Sequence, residues 1–525
     1  MASFHRKETS LSTHHAKRAI EGAGALTVGD LLAQQARRRP NAVAISDADK
    51  QVSFAMLDSR VDRLANVLTG LGLERGARVA ILSENRVEYL ETVFAAAKLG
   101  VIACCLNWRL ATEELEHCVG LVEPRAVIVS KRFEVALQAI NWRGPTVHLD
   151  DDYERRLAEA STEAPKVAVE PEDGLLILYT SGTTGMPKGA LISHRAELAR
   201  MTLSRLDSGL VEGDNFVAWA PMFHMVSLEH AIHVIGMGGQ VFIVDGADIE
   251  RIVDLVATER LWWLVLIPGM AERVAQAFRN RGVRSKGLKV VGALADLLPK
   301  HLISEISSLF EAPYWNTFGS TETGMMPASG TLFAPGCQPE SLAKAHNSLY
   351  VWRLVDGDGH DVERGDPGEI AVRGPTVFSG YWNAPDVNAH EFRGGWFHMG
   401  DLFVELPDGR LNYVDRSKYM IKSGGENIYP AEIERVLMAD PRVAEAVVVK
   451  RRDAKWGEVP VAFVALQPEV RVTAEQLMQL CRDRLSTYKC PSAVHLVASQ
   501  SEFPRSTSGK VQRQLVERWA EEPAP

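Results

Sequence analysis

A buried strand runs into a loop of hydroxyl residues and glycines in the stretch Leu178-Tyr179-Thr180-Ser181-Gly182-Thr183-Thr184-Gly185-Met186-Pro187-Lys188-Gly189. Hydroxyl groups, and the backbone N–H groups that glycine leaves accessible, can surround phosphate oxygens, and the lysine adds positive charge. The glycine spacing is not that of the Walker loop, which has four residues between its first glycine and a Gly-Lys pair. The stretch therefore predicts a phosphate loop of another kind, although a flexible surface turn has the same composition.

Short apolar segments alternate with segments of helical periodicity on both sides of this loop. Residues 78–83 and 126–129 predict buried strands, whereas residues 58–71 and 88–99 predict helices. Strands separated by such helices are typical of an α/β fold with largely parallel sheets. The segments become shorter and richer in turns along the chain, and a compact α+β region begins near residue 417. We therefore predict a large N-terminal domain of layered α/β subdomains and a small α+β C-terminal domain.

Composition limits the possible partners and compartments. The 525 residues carry a formal net charge of −9 and no long basic run, so we expect no nucleic-acid partner. No apolar run reaches the roughly 18 residues that span a bilayer, so we expect no integral membrane association. The six cysteines form no Cys-x-x-Cys pair and predict reduced thiols in a cytoplasmic protein. Residues 1–25 are mostly polar and predict a disordered tail.

Seven motifs in chain order resemble those of the adenylate-forming superfamily, which includes acyl-CoA synthetases, luciferases and peptide-synthetase adenylation domains. The phosphate loop is the first motif. The others are Ala220-Pro221-Met222-Phe223-His224, Asn316-Thr317-Phe318-Gly319-Ser320-Thr321-Glu322-Thr323, residues 368–375, Gly395-Trp396-Phe397-His398-Met399-Gly400-Asp401, residues 413–430 and residues 504–510. The resemblance implies an AMP-binding domain over 26–415 and a mobile hinge and lid domain over 416–525. It also implies an acyl-CoA ligase that uses ATP, Mg²⁺ and coenzyme A and proceeds through an acyl-adenylate.

The resemblance assigns catalytic roles to four residues. Lys510 would bridge the substrate carboxylate and the α-phosphate, two anions that repel each other unless their charge is neutralised. Glu322 would supply a hard oxygen to Mg²⁺, and Thr321 would donate its hydroxyl to a phosphate oxygen. His224 would gate the acyl pocket.

Further residues are implied to bind the nucleotide and coenzyme A. The expected ATP- and AMP-binding residues are Thr180, Ser181, Gly182, Thr183, Thr184, Lys188, Ala293, Asn316, Thr317, Phe318, Asp401 and Arg416. Asn316 would read the adenine amino group and Phe318 would stack on the base. Asp401 would accept both ribose hydroxyls.

The C-terminal motifs imply the second half-reaction. Gly424 and Gly425 would let the backbone approach the pantetheine arm of coenzyme A. Lys418 would lie at the hinge about which the small domain swings between its adenylation and thiolation positions. A homodimer is possible for such an enzyme.

Three departures from the family pattern keep alternatives open. Val291-Gly292-Ala293-Leu294-Ala295 replaces the usual Gly-Gly-Ala segment, residues 339–344 lack the usual Gly-x-x-Gly-x-Pro, and Phe318 replaces a tyrosine. The alternatives are a ligase that only thiolates a supplied acyl-adenylate and, in another class, a non-catalytic nucleotide-binding relative. Retention of Lys510 and Glu322 favours the complete two-step reaction.

The acid itself is predicted only by class. Phe223-His224-Met225 lacks the aspartate with which amino-acid activators hold an α-amino group, so an amino acid is disfavoured. The predicted helix that follows mixes apolar residues with Glu229 and His230. This mixture favours a mainly apolar acid, whether fatty, aromatic or polycyclic.

Overall fold

The computed structural model describes residues 20, 22–48, 50–180, 186–267, 269–423, 426–505 and 510–521. Their N-terminal part alternates strands with helices. The strands are β1 (Val43–Asp47), β2 (Lys50–Ser53), β3 (Arg78–Leu82), β4 (Ile102–Cys105), β5 (Ala126–Val129), β6 (Thr146–His148), β7 (Gly174–Thr180), β8 (Lys188–Ser193), β9 (Asn215–Ala218), β10 (Val241–Ile243), β11 (Leu261–Leu264), β12 (Leu288–Val291), β13 (Tyr314–Asn316) and β14 (Thr331–Phe333). The helices are α1 (Val28–Arg38), α2 (Phe54–Gly70), α3 (Val87–Leu99), α4 (Thr112–Val122), α5 (Glu134–Ala139), α6 (Asp151–Glu159), α7 (His194–Ser208), α8 (Met225–Gly236), α9 (Ile249–Thr258), α10 (Met270–Arg281) and α11 (Lys300–Leu309).

Two mainly parallel sheets organise this part. The first has the strand order β14-β13-β12-β11-β9-β10-β1-β2, and only its edge strands β2 and β14 run antiparallel to their neighbours among the described strands. The second has the order β6-β5-β3-β4-β7-β8, in which β8 alone of the described strands is antiparallel. Helical crossovers are the usual way to join parallel strands. The α/β class predicted from the sequence is confirmed.

Helix α3 lies between the two sheets and explains why they share a core. It contacts β1 of the first sheet and β3, β4 and β7 of the second. Almost all of its residues are buried, including the run Ala95-Ala96-Ala97, whose small side chains let both layers approach closely. A helix covered on two faces is expected to be largely apolar, and the buried carboxylates of this one, Glu88 and Glu91, are paired with arginines.

The C-terminal part is mostly antiparallel. Its strands are β15 (Val351–Val355), β16 (Pro367–Arg373), β17 (Phe397–Glu405), β18 (Leu411–Arg416), β19 (Ile421–Ser423), β20 (Glu426–Ile428), β21 (Val443–Asp453), β22 (Gly457–Leu466) and β23 (Ala493–Val497). Its helices are α12 (Pro385–Glu391), α13 (Pro430–Met438), α14 (Ala474–Arg484) and α15 (Arg513–Glu521). Strands β15 to β18 form one sheet, and β19 to β23 form another with its own apolar core against α13 and α14.

The predicted elements recur close to their predicted bounds. The helix predicted over 58–71 corresponds to α2, and the strands predicted over 78–83 and 126–129 correspond to β3 and β5. The predicted domain boundary at residue 415 falls near the end of β18, one strand before the small sheet begins, and stays a prediction. Most of the predicted tail lies outside the described residues. In the part of the chain that the structure describes, no helix is both long and apolar enough to cross a membrane.

Candidate active site

A tight turn after β13 presents Thr321 and Glu322. Ser320 and Gly324 close it by exchanging backbone hydrogen bonds, with N···O distances of 3.1 and 2.8 Å. A Cβ atom on Gly319 would lie 2.0 Å from the carbonyl oxygen of Gly324, so a side chain at position 319 would open the turn. The sequence therefore fixes the backbone that carries two of the predicted catalytic residues.

Arg200 on α7 holds this turn from behind. Its Nη2 donates to the carbonyl oxygen of Thr321 at 3.1 Å, and its Nε donates to that of Thr376 at 3.0 Å. Its Nη1 pairs with the carboxylate of Glu229 on α8, and both side chains are buried. All three donor groups of the guanidinium are engaged in fixed directions, as its planar fork allows.

Two more buried groups extend this ion pair. Nε2 of His233 lies 3.1 Å from Oε1 of Glu197, and its Nδ1 lies 3.1 Å from the hydroxyl of Ser204. We call Glu197, Arg200, Glu229 and His233 the rear cluster. A cavity of about 10 Å³ adjoins it, roughly the space of one water molecule. The rear cluster is thus sealed from any ligand.

Burial sets the charge state of the rear cluster. It raises the pKa of Glu197 to about 8, because Arg200 offsets only part of the desolvation. It also raises the pKa of Glu229, against the opposing effect of Arg200. It lowers the pKa of His233 to about 3, so this imidazole is neutral at neutral pH. Burial thus favours the protonated form at both carboxyl groups, and Arg200 opposes it at both while pairing directly with Glu229.

The side chain of Glu322 points to the front of the turn. Tyr381 donates its hydroxyl to Oε1 of Glu322 at 2.7 Å, and the ammonium of Lys188 lies 4.0 Å from the centre of the Tyr381 ring. Oε2 has no hydrogen-bond partner among the described residues. A partly exposed carboxylate with one oxygen unbonded among the described residues fits Mg²⁺, which takes one or two carboxylates and completes its octahedron with phosphate and water oxygens.

The phosphate loop joins β7 to β8. Thr180 and Lys188 face each other in the antiparallel register of these two strands. The predicted residues Ser181, Gly182, Thr183 and Thr184 lie outside the described residues. Lys188 is nevertheless placed, through Tyr381, within the same group of side chains as Glu322.

A second group of charges, the front cluster, consists of Asp401, Arg416 and Lys510. Asp401 on β17 and Arg416 on β18 are register partners, with 3.1 Å between Oδ1 and Nε. The Asp401 side chain is 3% exposed, whereas that of Arg416 is 42% exposed. Lys510 keeps exposed surface, yet its charge acts on both Asp401 and Glu322. The cluster is therefore open to solvent at Arg416 and Lys510.

Burial and the neighbouring charges shift the pKa values of Lys510 and Asp401. Desolvation and repulsion by Arg416 lower the pKa of Lys510, while Asp401 and Glu322 act in the opposite sense. Desolvation raises the pKa of Asp401, and the two cations oppose it. A lysine from the end of the chain is thus electrostatically coupled to the Glu322 turn.

His224 is placed at the start of α8. Its Nδ1 accepts the backbone N–H of Val226 at 3.3 Å, which caps the helix. Burial, followed by the charges of Lys510 and Arg109, lowers the pKa of His224 to about 4. The imidazole is therefore neutral at neutral pH. Phe223 beside it meets the ring of Trp108 edge-on, with 5.8 Å between ring centres.

The ring of Phe318 is half-buried at the predicted base site. It packs against Phe403 and Tyr413, with ring centres 4.8 and 5.5 Å away. Next to it, the N–H of Leu294 donates to the hydroxyl of Thr317 at 2.9 Å. The segment that departs from Gly-Gly-Ala is therefore tied to the predicted adenine motif.

Ala293 and Gly292 are held by aromatic side chains. The hydroxyl of Tyr314 donates to the Ala293 carbonyl at 2.7 Å, and the indole of Trp263 donates to the Gly292 carbonyl at 2.7 Å. Gly292 has φ +82°, and a Cβ there would lie 2.1 Å from the Tyr314 ring. Glycine is required at this position, which is the glycine that the sequence retains.

Asn316 is fully buried beneath the base site. Its Nδ2 donates to the carbonyl of Leu342 at 2.9 Å, and its Oδ1 accepts from the ammonium of Lys344. Lys344, in the segment that lacks Gly-x-x-Gly-x-Pro, is also fully buried and pairs with Asp296 at 2.6 Å. Asn316 is close to the predicted base site, but its amide meets protein groups.

The hinge and coenzyme A predictions are placed only in part. Lys418 is exposed in the short helical turn between β18 and β19. Gly424 and Gly425 lie outside the described residues.

Several residues around the site were missed by sequence reasoning, namely Arg200, Tyr381, Asp296 and Lys344. Glu229 was predicted only as a polar residue of the helix after His224, and the only signal for Arg200 was its charge on a helix that follows a buried strand. Such charges are normally interpreted as a solvated face.

Comparison with known proteins found two matching family models and relatives similar over most of the chain. The family model described as AMP-binding enzyme matches residues 32–382, and the model described as AMP-binding enzyme C-terminal domain matches residues 432–510. The chain is 34% identical to an indoleacetate–CoA ligase of Aromatoleum aromaticum, covering 94% of this chain and 99% of that protein. It is 32% identical to a feruloyl-CoA synthase of an Amycolatopsis species, covering 94% and 98%. The crystal structure of the o-succinylbenzoate CoA synthetase of Bacillus subtilis with its acyl-adenylate intermediate matches with a TM-score of 0.81 at 27% identity, covering 94% and 98%.

Proposed function

Because the chain belongs to the AMP-binding enzyme family and is an AMP-forming acid–thiol ligase, we propose that it activates an aromatic carboxylic acid at the Thr321–Glu322 turn. The reaction converts the acid, ATP and coenzyme A into acyl-CoA, AMP and pyrophosphate through an acyl-adenylate. One observation carries the proposed site. The charge of Lys510, from near the end of the chain, acts on Glu322, Asp401 and His224, which come from three separate parts of it.

In the proposed adenylation step the carboxylate oxygen attacks the α-phosphorus of ATP and pyrophosphate leaves. Lys510 would lie between the two anions and offset the charge that develops on the α-phosphate oxygens. Thr321 would donate to a phosphate oxygen from a turn that Arg200 holds fixed. Mg²⁺ beside Glu322 would neutralise phosphate charge when bound.

Asp401 would fix the position of the nucleotide. Its buried carboxylate can accept both ribose hydroxyls, and Arg416 across the β17–β18 register stabilises its negative charge. A carboxylate only accepts hydrogen bonds, so it matches a diol that donates two. The nucleotide would therefore be oriented before the acid arrives.

The acyl end would be apolar and aromatic. His224 is neutral, so it adds no charge beside the acid, and it adjoins the aromatic pair Phe223 and Trp108. The relatives carry names of indoleacetate, ferulate and 2-succinylbenzoate, all acids with an aromatic ring. Offset and edge-on ring contacts would favour such acids over saturated chains.

In the proposed thiolation step the coenzyme A sulfur attacks the acyl carbon and AMP leaves. The region of Gly424 and Gly425 would admit the pantetheine arm, after the small domain turns at Lys418. A homodimer stays a prediction. We also propose a cytoplasmic location, because ATP and coenzyme A are the cosubstrates and all six thiols are free.

An acid panel tests the proposal. The purified protein, ATP, Mg²⁺ and coenzyme A are incubated with indoleacetate, ferulate, 2-succinylbenzoate, benzoate and saturated fatty acids, and acyl-CoA is identified by mass spectrometry. We expect aromatic acids to give the highest kcat/KM. Equal or higher values for saturated acids would contradict an aromatic pocket. Acyl-CoA formation from a supplied acyl-adenylate, without any from free acid, would identify a ligase that only thiolates.

A further inference from the structure

Asp296 lies next to the residues of the predicted base site. It lies in the helical turn Ala295–Leu297, directly after the segment that departs from Gly-Gly-Ala. The backbone of that segment is bonded to the predicted adenine motif through Leu294 N–H and Thr317 Oγ1. Asp296 therefore cannot move independently of the residues around Phe318.

Asp296 is the exposed end of a three-residue polar chain. Lys344, 0% exposed, donates to Oδ1 of Asn316 and pairs with Oδ2 of Asp296 at 2.6 Å, whereas the Asp296 side chain is 22% exposed. Asn316 is enclosed, with both amide ends bonded to protein. Of these three polar groups, the carboxylate of Asp296 is the one open to a ligand.

The open carboxylate follows the segment that is bonded to the predicted adenine motif. Within that motif, Phe318 packs against Tyr413, with ring centres 5.5 Å apart. Burial chiefly raises the pKa of Tyr413, and the charges of Asp401, Asp415 and, least of all, Asp296 add to the rise. Asp296 and Asp401 are thus the two carboxylates that we assign to the base and ribose ends of one nucleotide.

We propose that Asp296, backed by Lys344, accepts the 6-amino group of adenine and makes the enzyme select ATP over nucleotides with a 6-oxo group. This inference rests on the proposed function of the site. A carboxylate can only accept hydrogen bonds, so it matches the two N–H donors of a 6-amino group and repels a carbonyl oxygen. A site built to bond a substrate N–H rejects the analogue that lacks it, because the buried polar group is left unpaired.

Lys344 has a separate task in this arrangement. An ammonium has only donors, so it orients the Asn316 oxygen toward itself and neutralises Asp296 from the enclosed side. Base selection should therefore follow Asp296, while Lys344 mainly maintains the local fold.

Inosine triphosphate provides the test, since its base carries a 6-oxo group on an otherwise similar ring. Binding of ATP and inosine triphosphate, each with Mg²⁺, is measured by calorimetry for the wild type, Asp296→Asn, Lys344→Met and the double variant. We expect Asp296→Asn to reduce the ratio of the affinity for ATP to the affinity for inosine triphosphate by about tenfold or more. The reason is that an amide can turn its NH₂ toward the 6-oxo group. We expect Lys344→Met to leave most of the ratio unchanged.

The double variant keeps the test informative if Asp296→Asn alone fails to fold. Asp296→Asn alone leaves a buried lysine without its carboxylate, whereas the double variant removes both charges. Asp254→Asn on α9, whose partner is the half-exposed Arg281, is the matched control and should keep the wild-type ratio. An unchanged ratio in a folded Asp296→Asn or double variant would overturn the proposal. Calorimetry needs no acid, so failure of the acid panel is separately visible.

Discussion

The rear and front clusters both act on the Thr321–Glu322 turn and differ in solvent access. In the rear cluster, Arg200 and Glu229 are sealed in the core, and the arginine bonds main-chain carbonyls. In the front cluster, Asp401 is equally buried, but its partner Arg416 is 42% exposed and Lys510 is exposed. A cluster that is buried throughout can only position the backbone, whereas a cluster with exposed members can meet a ligand. The comparison teaches that the exposure of the cluster as a whole, rather than its charge, separates positioning from binding.

Breaking the rear cluster should have the largest effect on the whole protein. Arg200→Met leaves Glu229 buried without its partner and removes the donors to Thr321 and Thr376, so we expect a loss of about 3–5 kcal/mol in the free energy of unfolding. Urea denaturation measures it. Arg200→Met/Glu229→Leu should recover much of that stability but not the rate of acid-dependent pyrophosphate release. Recovery of both would show that the cluster does not position the turn.

The difference between the clusters also explains which residues could be predicted from the sequence. The strands and helices followed from apolar periodicity, and the residues of the front cluster followed from motifs that resemble a family. Arg200 and Glu229 carry no motif, and their burial depends on how α7 and α8 pack against distant residues such as Thr376. The partners of Lys344 depend equally on tertiary packing, so local patterns could not predict them.

Breaking the front cluster at Asp401 should affect nucleotide binding with little change in stability. Asp401→Asn keeps the shape but weakens two charge-assisted hydrogen bonds to the ribose, so we expect a rise in KM for ATP of about 10- to 100-fold. Steady-state kinetics with varied ATP measures it, and the melting temperature should change little. A normal KM for ATP would remove Asp401 from the ribose site.

The protonation state of buried Glu197 can be tested through the pH dependence of the free energy of unfolding. The effect should arise in the rear cluster alone. Glu197 has a folded-state pKa raised to about 8, so its stabilising effect is present below its unfolded pKa and is lost as the pH rises through about 8. The free energy of unfolding should fall by up to about 1.4 kcal/mol per pH unit over this range. Denaturation midpoints between pH 6.5 and 9 measure the slope. Glu197→Gln should make the slope shallower while Glu229, whose pKa is also raised, retains part of it, and an equal slope in both proteins would contradict a protonated Glu197.

Tyr381 connects Glu322, on the turn on which both clusters act, with Lys188, and its change should have the smallest effect. Tyr381→Phe removes the hydrogen bond to Oε1 of Glu322 but keeps the ring beneath Lys188. We expect the Mg²⁺ concentration that gives half-maximal activity to rise roughly fivefold, which corresponds to about 1 kcal/mol. Titration of Mg²⁺ at saturating ATP measures it. Tyr350→Phe, which loses a hydroxyl bonded to the Pro327 carbonyl, is the matched control. Equal shifts in both variants would argue against a specific role.

The central claim is that one site performs adenylation with a lysine supplied from the end of the chain. Exchange of labelled pyrophosphate into ATP, measured with an aromatic acid and without coenzyme A, isolates that step. We predict acid-dependent exchange in the wild type and a loss of about 10²- to 10³-fold in Lys510→Ala, with acyl-CoA formation from a supplied acyl-adenylate retained. Exchange that is undiminished in Lys510→Ala, or absent from a wild type that thiolates the supplied adenylate, would contradict the account.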